Sequence, residues 1–211
     1  MKLVVLGANG RTGGHVVRNA LAAGDHVTAV VRSEASRLTF DHERLTVVIG
    51  DPCDPTVLTR VFRGQDAVIS TLGGRRPTRH ATAIYWRSAE AIVEAAQTAG
   101  LTSVAVTSTA LLFPSGRLID RLLTALVHNV VQSATRMEAT LQRAGLDLTI
   151  ARCGFLTDAA ETGYRASVEA LPQDGSSVSR RGLARFLVET IRNPAVGAGV
   201  YGVSAPLARR S

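Results

Sequence analysis

The chain has 211 residues, 45% of them hydrophobic, and a formal net charge of +7. That length allows one sizeable core, and with no run near the ~20 apolar residues of a membrane span the expectation is a soluble protein that makes no membrane contact. Its 24 basic residues are mostly dispersed arginines, and the densest sets, at 75–80 and 209–210, are short and lack interleaved aromatics, which argues against a nucleic-acid surface.

The first residues run directly into Leu3-Val4-Val5-Leu6, with no basic leader or small-residue cleavage site, so a cytoplasmic location is expected. Residues 1–6 read as a buried parallel strand. Straight after it come Gly7-Ala8-Asn9-Gly10-Arg11-Thr12-Gly13, a strand-to-helix turn with three spaced glycines. Such a turn suits pyrophosphate. The first glycine permits the tight turn, the second lets the backbone approach the anion, and the third lets the helix pack on the strand, while N–H groups opening the helix face the phosphates. A plain strand-to-helix connection uses similar glycines, but the context favours a dinucleotide. Residues 15–23 read as an amphipathic helix stopped by Gly24 and residues 26–31 as a second strand, which closes a βαβ unit.

At the end of that second strand an NAD-selective chain places Asp or Glu against the ribose 2′-hydroxyl, whereas this one has Val30-Val31-Arg32-Ser33. Arg32 can pair with a 2′-phosphate in a fork of charge-assisted hydrogen bonds, with Ser33 as an extra donor and Arg11 or Arg37 as a second cation. NADP(H) is therefore expected over NAD(H). Taken alone, Arg32 also fits a solvated arginine at a strand end.

Strand and helix signals alternate from there: a strand at 45–50, a helix at 55–63, a strand at 66–72 ending in Gly73-Gly74, and a helix at 82–99 after a loop of arginines and prolines. A strand at 103–108, a long helix at 119–144 stopped by Gly145 and a strand at 148–151 follow. Beyond Cys153 the pattern thins to a weaker strand signal at 163–170, a turn at 172–176, a helix at 181–192 and a last strand at 200–204. This alternation predicts an α/β fold, a doubly wound parallel sheet with helices on both faces. Residues 1–211 read as a single domain, in which about 153–180 forms a small C-terminal cap on the substrate side of the sheet edge where open α/β sheets bind ligands. The two cysteines, Cys53 and Cys153, have no metal-ligand spacing and imply neither a metal nor a disulfide.

With the glycine turn, Arg32, Gly50-Asp51, Thr71-Leu72-Gly73, Val106-Thr107-Ser108 and Arg152 in order, the chain resembles the atypical short-chain dehydrogenase/reductases of the NmrA-like NAD(P)-binding group, nearly end to end. Within that group it is similar to the small biliverdin-IXβ/flavin reductases, through Val-Val-Arg-Ser, Gly-Gln-Asp-Ala-Val-Ile, Thr-Ser-x-x-Leu-Leu and Asp158-x-x-x-Thr162-Gly163. The resemblance implies a Rossmann-like fold and an oxidoreductase. It implies that Gly7, Asn9, Gly10, Arg11, Thr12 and Gly13 meet the pyrophosphate, that Asp51 accepts from the adenine amine, and that Leu72 and Gly73 face the adenosine. Val106, Thr107, Ser108, Arg152, Cys153 and Phe155 would then surround the nicotinamide. From the residues alone, Asp51 is also an Asx cap on the turn that follows it, and Thr107 and Ser108 are also plain strand-end hydroxyls.

Better-known short-chain dehydrogenases use a Tyr-x-x-x-Lys pair, in which the lysine lowers the tyrosine pKa so that it can pass a proton. Here Tyr85 is followed by Trp86-Arg87-Ser88-Ala89, and the only lysine is Lys2. Tyr85 and Trp86 therefore read as a packed helix face or pocket wall, although Tyr85 and Ser108 stay the nearest approach to catalytic residues. Where relatives place Lys or His four residues before a glutamate, this chain has Ala134 before Glu138. The histidine of flavin-reductase relatives falls on Phe155, and His128 reads as an exposed helical residue.

Hydride transfer to a flavin or quinone demands little beyond holding the nicotinamide against the acceptor, whereas ketone reduction needs a hydrogen-bond donor. Only Ser108, Thr109, Tyr85 or Tyr164 offers one. The sequence thus predicts an NADPH-dependent reductase of a flavin-, quinone- or carbonyl-type small molecule. A non-catalytic NADP sensor and a natural-product tailoring enzyme on the same fold are the alternatives. The expected partner is a small molecule, and the residues leave self-association open.

Overall fold

The computed structural model describes residues 1–34, 38–74, 76–114 and 118–207. Arg37, Arg75 and Arg209-Arg210, named above for their charge, lie outside the described residues. The apolar runs form the strands β1 (Lys2–Leu6), β2 (His26–Val31), β3 (Leu45–Ile49), β4 (Ala67–Ser70), β5 (Ser103–Thr109), β6 (Asp147–Cys153) and β10 (Gly199–Ser204). Between them lie the helices α1 (Arg11–Ala22), α2 (Pro55–Phe62), α3 (Arg79–Ala99), α4 (Leu118–Leu126), α5 (His128–Gln142) and α6 (Arg180–Arg192).

The main sheet has eight strands in the order β3-β2-β1-β4-β5-β6-β10-β8, where β8 is Arg165–Val168. All neighbours run parallel except β8, which pairs antiparallel with β10. Strand order reverses between β1 and β4, so the loops leaving these two strands diverge and open a crevice at the C-terminal edge. One face of the sheet packs against α1 and α6 through Val16, Val17, Leu183, Phe186 and Leu187. The other is covered by α2, α3 and α5 through Leu58, Phe62, Ile92, Met137 and Leu141. Parallel strands sealed on both faces explain why the sequence reads as near-continuous apolar runs there.

Three boundaries differ from the sequence expectation. Helix α1 begins at Arg11, four residues before the expected start, because Gly13 and Gly14 are helical residues that weaken the helical signal without ending the helix. Helix α3 begins at Arg79, where the Thr78 hydroxyl accepts from the Ala81 N–H. The expected single helix at 119–144 is two helices: Val127, at φ −108° and ψ 30°, leaves helical geometry and caps α5. In the C-terminal region, the signal at 163–170 is β8, an edge strand of the main sheet. A pair unseen in the sequence, β7 (Phe155–Thr157) and β9 (Ser177–Ser179), forms a separate two-stranded parallel sheet. Gly154 permits their approach, since a Cβ there would lie 2.1 Å from the Ser176 carbonyl oxygen.

Candidate functional site

The crevice is built first by glycines. Gly7 ends β1 with φ +81°, and the Gly10 N–H donates to the Gly7 carbonyl at 2.9 Å, closing a tight turn. A Cβ on Gly13 would lie 2.1 Å from that same carbonyl oxygen, so α1 can seat itself against the turn only without a side chain there. From the β4 end, the Thr71 hydroxyl donates to the Leu6 carbonyl at 3.2 Å and fixes the opposite wall. The start of α1 is left open. Its N-cap is Gly10, with no side-chain cap and no acidic residue in the first turn, whereas Asp54, Thr78 and Ser179 cap α2, α3 and α6. An uncapped helix start behind a glycine cradle offers its N–H groups to an external anion, and that fits a pyrophosphate.

From this turn a groove of about 410 Å³ runs across the ends of β2, β3 and β4. It is lined by Gly7, Asn9 and Gly10, by Val31 and Arg32, by Asp51, Pro52 and Cys53, and by Thr71, Leu72 and Gly73. Helix α3 closes it with His80, Ile84 and Arg87. Gly7, Asn9, Gly10, Arg32, Asp51, Leu72 and Gly73 are thus brought together as the sequence expects. Asp51 makes the Asx turn that is one of the two readings of it, its Oδ1 accepting from the Cys53 N–H at 2.9 Å, and it lines the groove. Burial, then the Asp51 carboxylate, pushes the Cys53 thiol up to about 11.

The other expected residues lie outside this groove. Thr12 and Gly13 belong to the first turn of α1, and Ser33 follows Arg32 past the end of β2. Arg11 is not a free second cation. Its Nη1 donates to Asp158 Oδ2 at 2.6 Å, and Arg180 donates to Asp158 Oδ1 at 2.7 Å, so Asp158 ties the starts of α1 and α6 together. Thr107, Ser108 and Thr109 extend β5 beyond its pairing with β4, next to Arg152 and Cys153 on β6. Phe155, 65% exposed, begins β7.

At the β5 end the sequence reading missed a buried network. Ser108 Oγ donates to Glu138 Oε1 at 2.5 Å, and Arg152 donates to the same carboxylate, from Nη2 to Oε2 at 2.6 Å and from Nε to Oε1 at 3.1 Å. Arg152 also donates to the Leu112 carbonyl at 3.2 Å and stacks on Phe113, 4.8 Å from the ring centroid. Glu138 is only 3% exposed. The signal was available, because Glu138 shares a helix face with Ala134, Met137 and Leu141, and a carboxylate within an apolar stripe requires a partner. The Ser108 proton is committed to Glu138, so this hydroxyl presents lone pairs rather than a free proton. Arg152, expected at the nicotinamide, has its guanidinium spent on Glu138 and Leu112.

The remaining hydroxyls are equally constrained. Tyr85 packs behind the groove with its hydroxyl against Gly73, where a Cβ would lie 3.1 Å away, and burial pushes its pKa up. Trp86 carries Arg136 stacked 3.7 Å from its ring centroid. Tyr164 faces a different cavity, between α1 and α6, and donates to Glu189 at 2.6 Å; burial and that carboxylate hold it up at about 12. Thr109 accepts from the Leu111 N–H, and His128 opens α5 as an exposed residue. The Cys153 thiol donates to the Ser108 carbonyl at 3.3 Å and burial raises it to about 12. Among the described residues no group of three His, Cys, Asp or Glu side chains stands where it could hold a metal, and no helix is long and apolar enough to cross a membrane.

Residues 7–194 match the family described as NAD(P)H-binding. A short-chain dehydrogenase/reductase from Veillonella parvula, solved in complex with NADP, superposes with TM-score 0.83 at 21% identity over 98% of this chain and 95% of that one. ChuY, an anaerobilin reductase from Escherichia coli O157:H7, gives 0.77 at 24% identity over 100% of both chains. A Rossmann-fold NAD(P)-binding family protein from Shigella flexneri gives 0.78 at 19%, over 98% of this chain and 94% of that one. At these identities the neighbours establish the Rossmann fold.

Proposed function

The chain belongs to the NAD(P)H-binding family, and from that membership we propose that it is a cytoplasmic NADPH-dependent reductase of a flavin-, quinone- or carbonyl-type small molecule. The observation that carries the cofactor choice is Arg32, which lines the groove at the end of β2, the position where an acidic side chain would select the unphosphorylated ribose. The bound cofactor would supply the hydride. The chain's own part is to receive the pyrophosphate on the open start of α1, to accept from the adenine amine on Asp51, and to pair the 2′-phosphate with Arg32.

The state of the hydroxyls supports flavin- or quinone-type acceptors over isolated ketones. Ser108 has its proton on Glu138, and Tyr85 is held neutral by burial with no lysine beside it. A developing alkoxide would find the Ser108 proton already committed and a Tyr85 phenol that gives up its proton less readily than usual, whereas a flavin or quinone can take its proton from solvent. The same observation favours a second reading, a protein that binds NADP(H) without turning it over. Titration with NADPH, NADP, NADH and NAD on wild type and Arg32→Glu, followed by NADPH consumption with FMN and a simple quinone, separates the two. Acceptor-dependent consumption with NADP(H) binding lost in Arg32→Glu supports the reductase. Tight binding without turnover leaves the sensor, and no dinucleotide binding overturns both.

A further inference from the structure

The groove holds an arginine that no motif explains. Helix α3 points His80, Ile84 and Arg87 into it, at offsets of four and seven residues that keep them on one helix face. Arg87 thus lines the groove from α3, as Arg32 does from the end of β2. Neither has a hydrogen-bond or ion-pair partner among the described residues. Arg11, Arg136, Arg152, Arg180, Arg185 and Arg192, by contrast, all pair with carboxylates. Both guanidinium groups also act on one reporter, the Cys53 thiol, which each of them pulls downward against the effect of burial. Two unpaired cations therefore converge on one stretch of groove, faced by a single lining carboxylate, Asp51.

We infer that Arg87 is the second cation for the 2′-phosphate of an NADP-type adenosine, acting from α3 together with Arg32 at the end of β2. The inference rests on the reading of this groove as an NADP(H) site. A phosphate monoester carries close to two negative charges at neutral pH and offers three acceptor oxygens, enough for two guanidinium forks. Two arginines and one carboxylate leave this stretch of groove with a net positive charge, which a doubly charged phosphate would offset. Arg87 also fills the role expected of Arg11 or Arg37; the Arg11 guanidinium is held by Asp158, and Arg37 lies outside the described residues.

The test compares the binding of 2′,5′-ADP and 5′-AMP by calorimetry at one fixed salt concentration, on wild type, Arg87→Ala and Arg87→Lys, with a thermal melt of each. Arg87→Ala should weaken 2′,5′-ADP about tenfold, as loss of one charge-assisted contact at an exposed site would. Binding of 5′-AMP should stay within about twofold, and Arg87→Lys should recover part of the loss as a point charge without the fork. Equal loss on both ligands overturns the assignment, because the guanidinium then meets the base or ribose. No loss on either overturns it as well, because Arg87 is then a solvated side chain. A wild-type protein that binds both ligands equally would instead refute the NADP reading, whereas a preference that survives undiminished in Arg87→Ala refutes only the role of Arg87.

Discussion

Replacing Arg152 with Met would remove the cation from Glu138, whose carboxylate has no other ion-pair partner among the described residues. Glu138 is 3% exposed, and the Arg152 side chain 16%, so water reaches the arginine more readily than the glutamate. In the variant, Glu138 keeps only the Ser108 hydroxyl. A hydrogen bond to a charged group is worth about 1.5–3 kcal/mol, while breaking a buried pair by removing one partner costs about 3–5 kcal/mol. The surviving bond already exists in the wild type and offsets nothing. Arg152→Met should therefore lose about 3–5 kcal/mol in urea denaturation, as a lower midpoint with an unchanged slope. The double variant Glu138→Leu with Arg152→Met leaves no buried charge, so its cost should fall below the sum of the single ones by more than about 1 kcal/mol. A loss under about 1 kcal/mol for Arg152→Met, or strict additivity in the cycle, would show that Glu138 does not depend on Arg152 and would refute a coupled Ser108–Glu138–Arg152 network.

Gly13→Ala should abolish dinucleotide binding and destabilise the fold by about 1–3 kcal/mol, because the new methyl would meet the Gly7 carbonyl; normal NADPH titration of the variant would contradict this. Tyr85→Phe should leave acceptor-dependent NADPH oxidation within about threefold, since burial raises the phenol pKa and no lysine of a Tyr-x-x-x-Lys pair lowers it, and a hundredfold drop would make it a proton donor after all. At pH 8 iodoacetamide should label Cys53 and Cys153 in the native protein far more slowly than free cysteine, on the order of a hundredfold for Cys53, because thiols held near 11 and 12 expose little thiolate; labelling at the free-thiol rate would be the contrary result. His15 is lowered, by burial first and by Arg181 next, so the unfolded chain takes up its proton before the folded one does. Stability should accordingly fall as pH drops below the ordinary histidine value, and His15→Gln should flatten that part of a pH series of denaturation midpoints; an unaltered slope would dismiss the assignment.

The sheet was legible because buried parallel strands are apolar on both faces, and Leu3-Val4-Val5-Leu6 or Ala67-Val68-Ile69 has no other stable place. The glycine turn was legible because a Cβ at Gly13 has nowhere to go. Other features escaped for physical reasons. The strands β7 and β9 have three residues each, too few for a period to show, and the break between α4 and α5 falls on Val127 with no glycine or proline to mark it. Ser108, Glu138 and Arg152 lie 30 and 14 residues apart along the chain and meet only because β5 and β6 pair beneath α5. Arg87 sits on a helix whose register against the groove depends on where Thr78 starts it, three residues before the expected boundary. The pairing of Arg11 with Asp158 joins residues 147 positions apart, which no local pattern announces.

We propose a groove that takes a 2′-phosphorylated dinucleotide and passes reducing equivalents to a small acceptor. The most direct measurement is calorimetric titration with NADPH and NADH on wild type and Arg32→Glu, with NADPH oxidation by FMN and by a simple quinone followed on the same samples. NADPH should bind more tightly than NADH, that preference should be lost in Arg32→Glu, and oxidation should depend on the acceptor. Equal binding of NADPH and NADH by the wild type, or NADPH loss that ignores every acceptor, would contradict it.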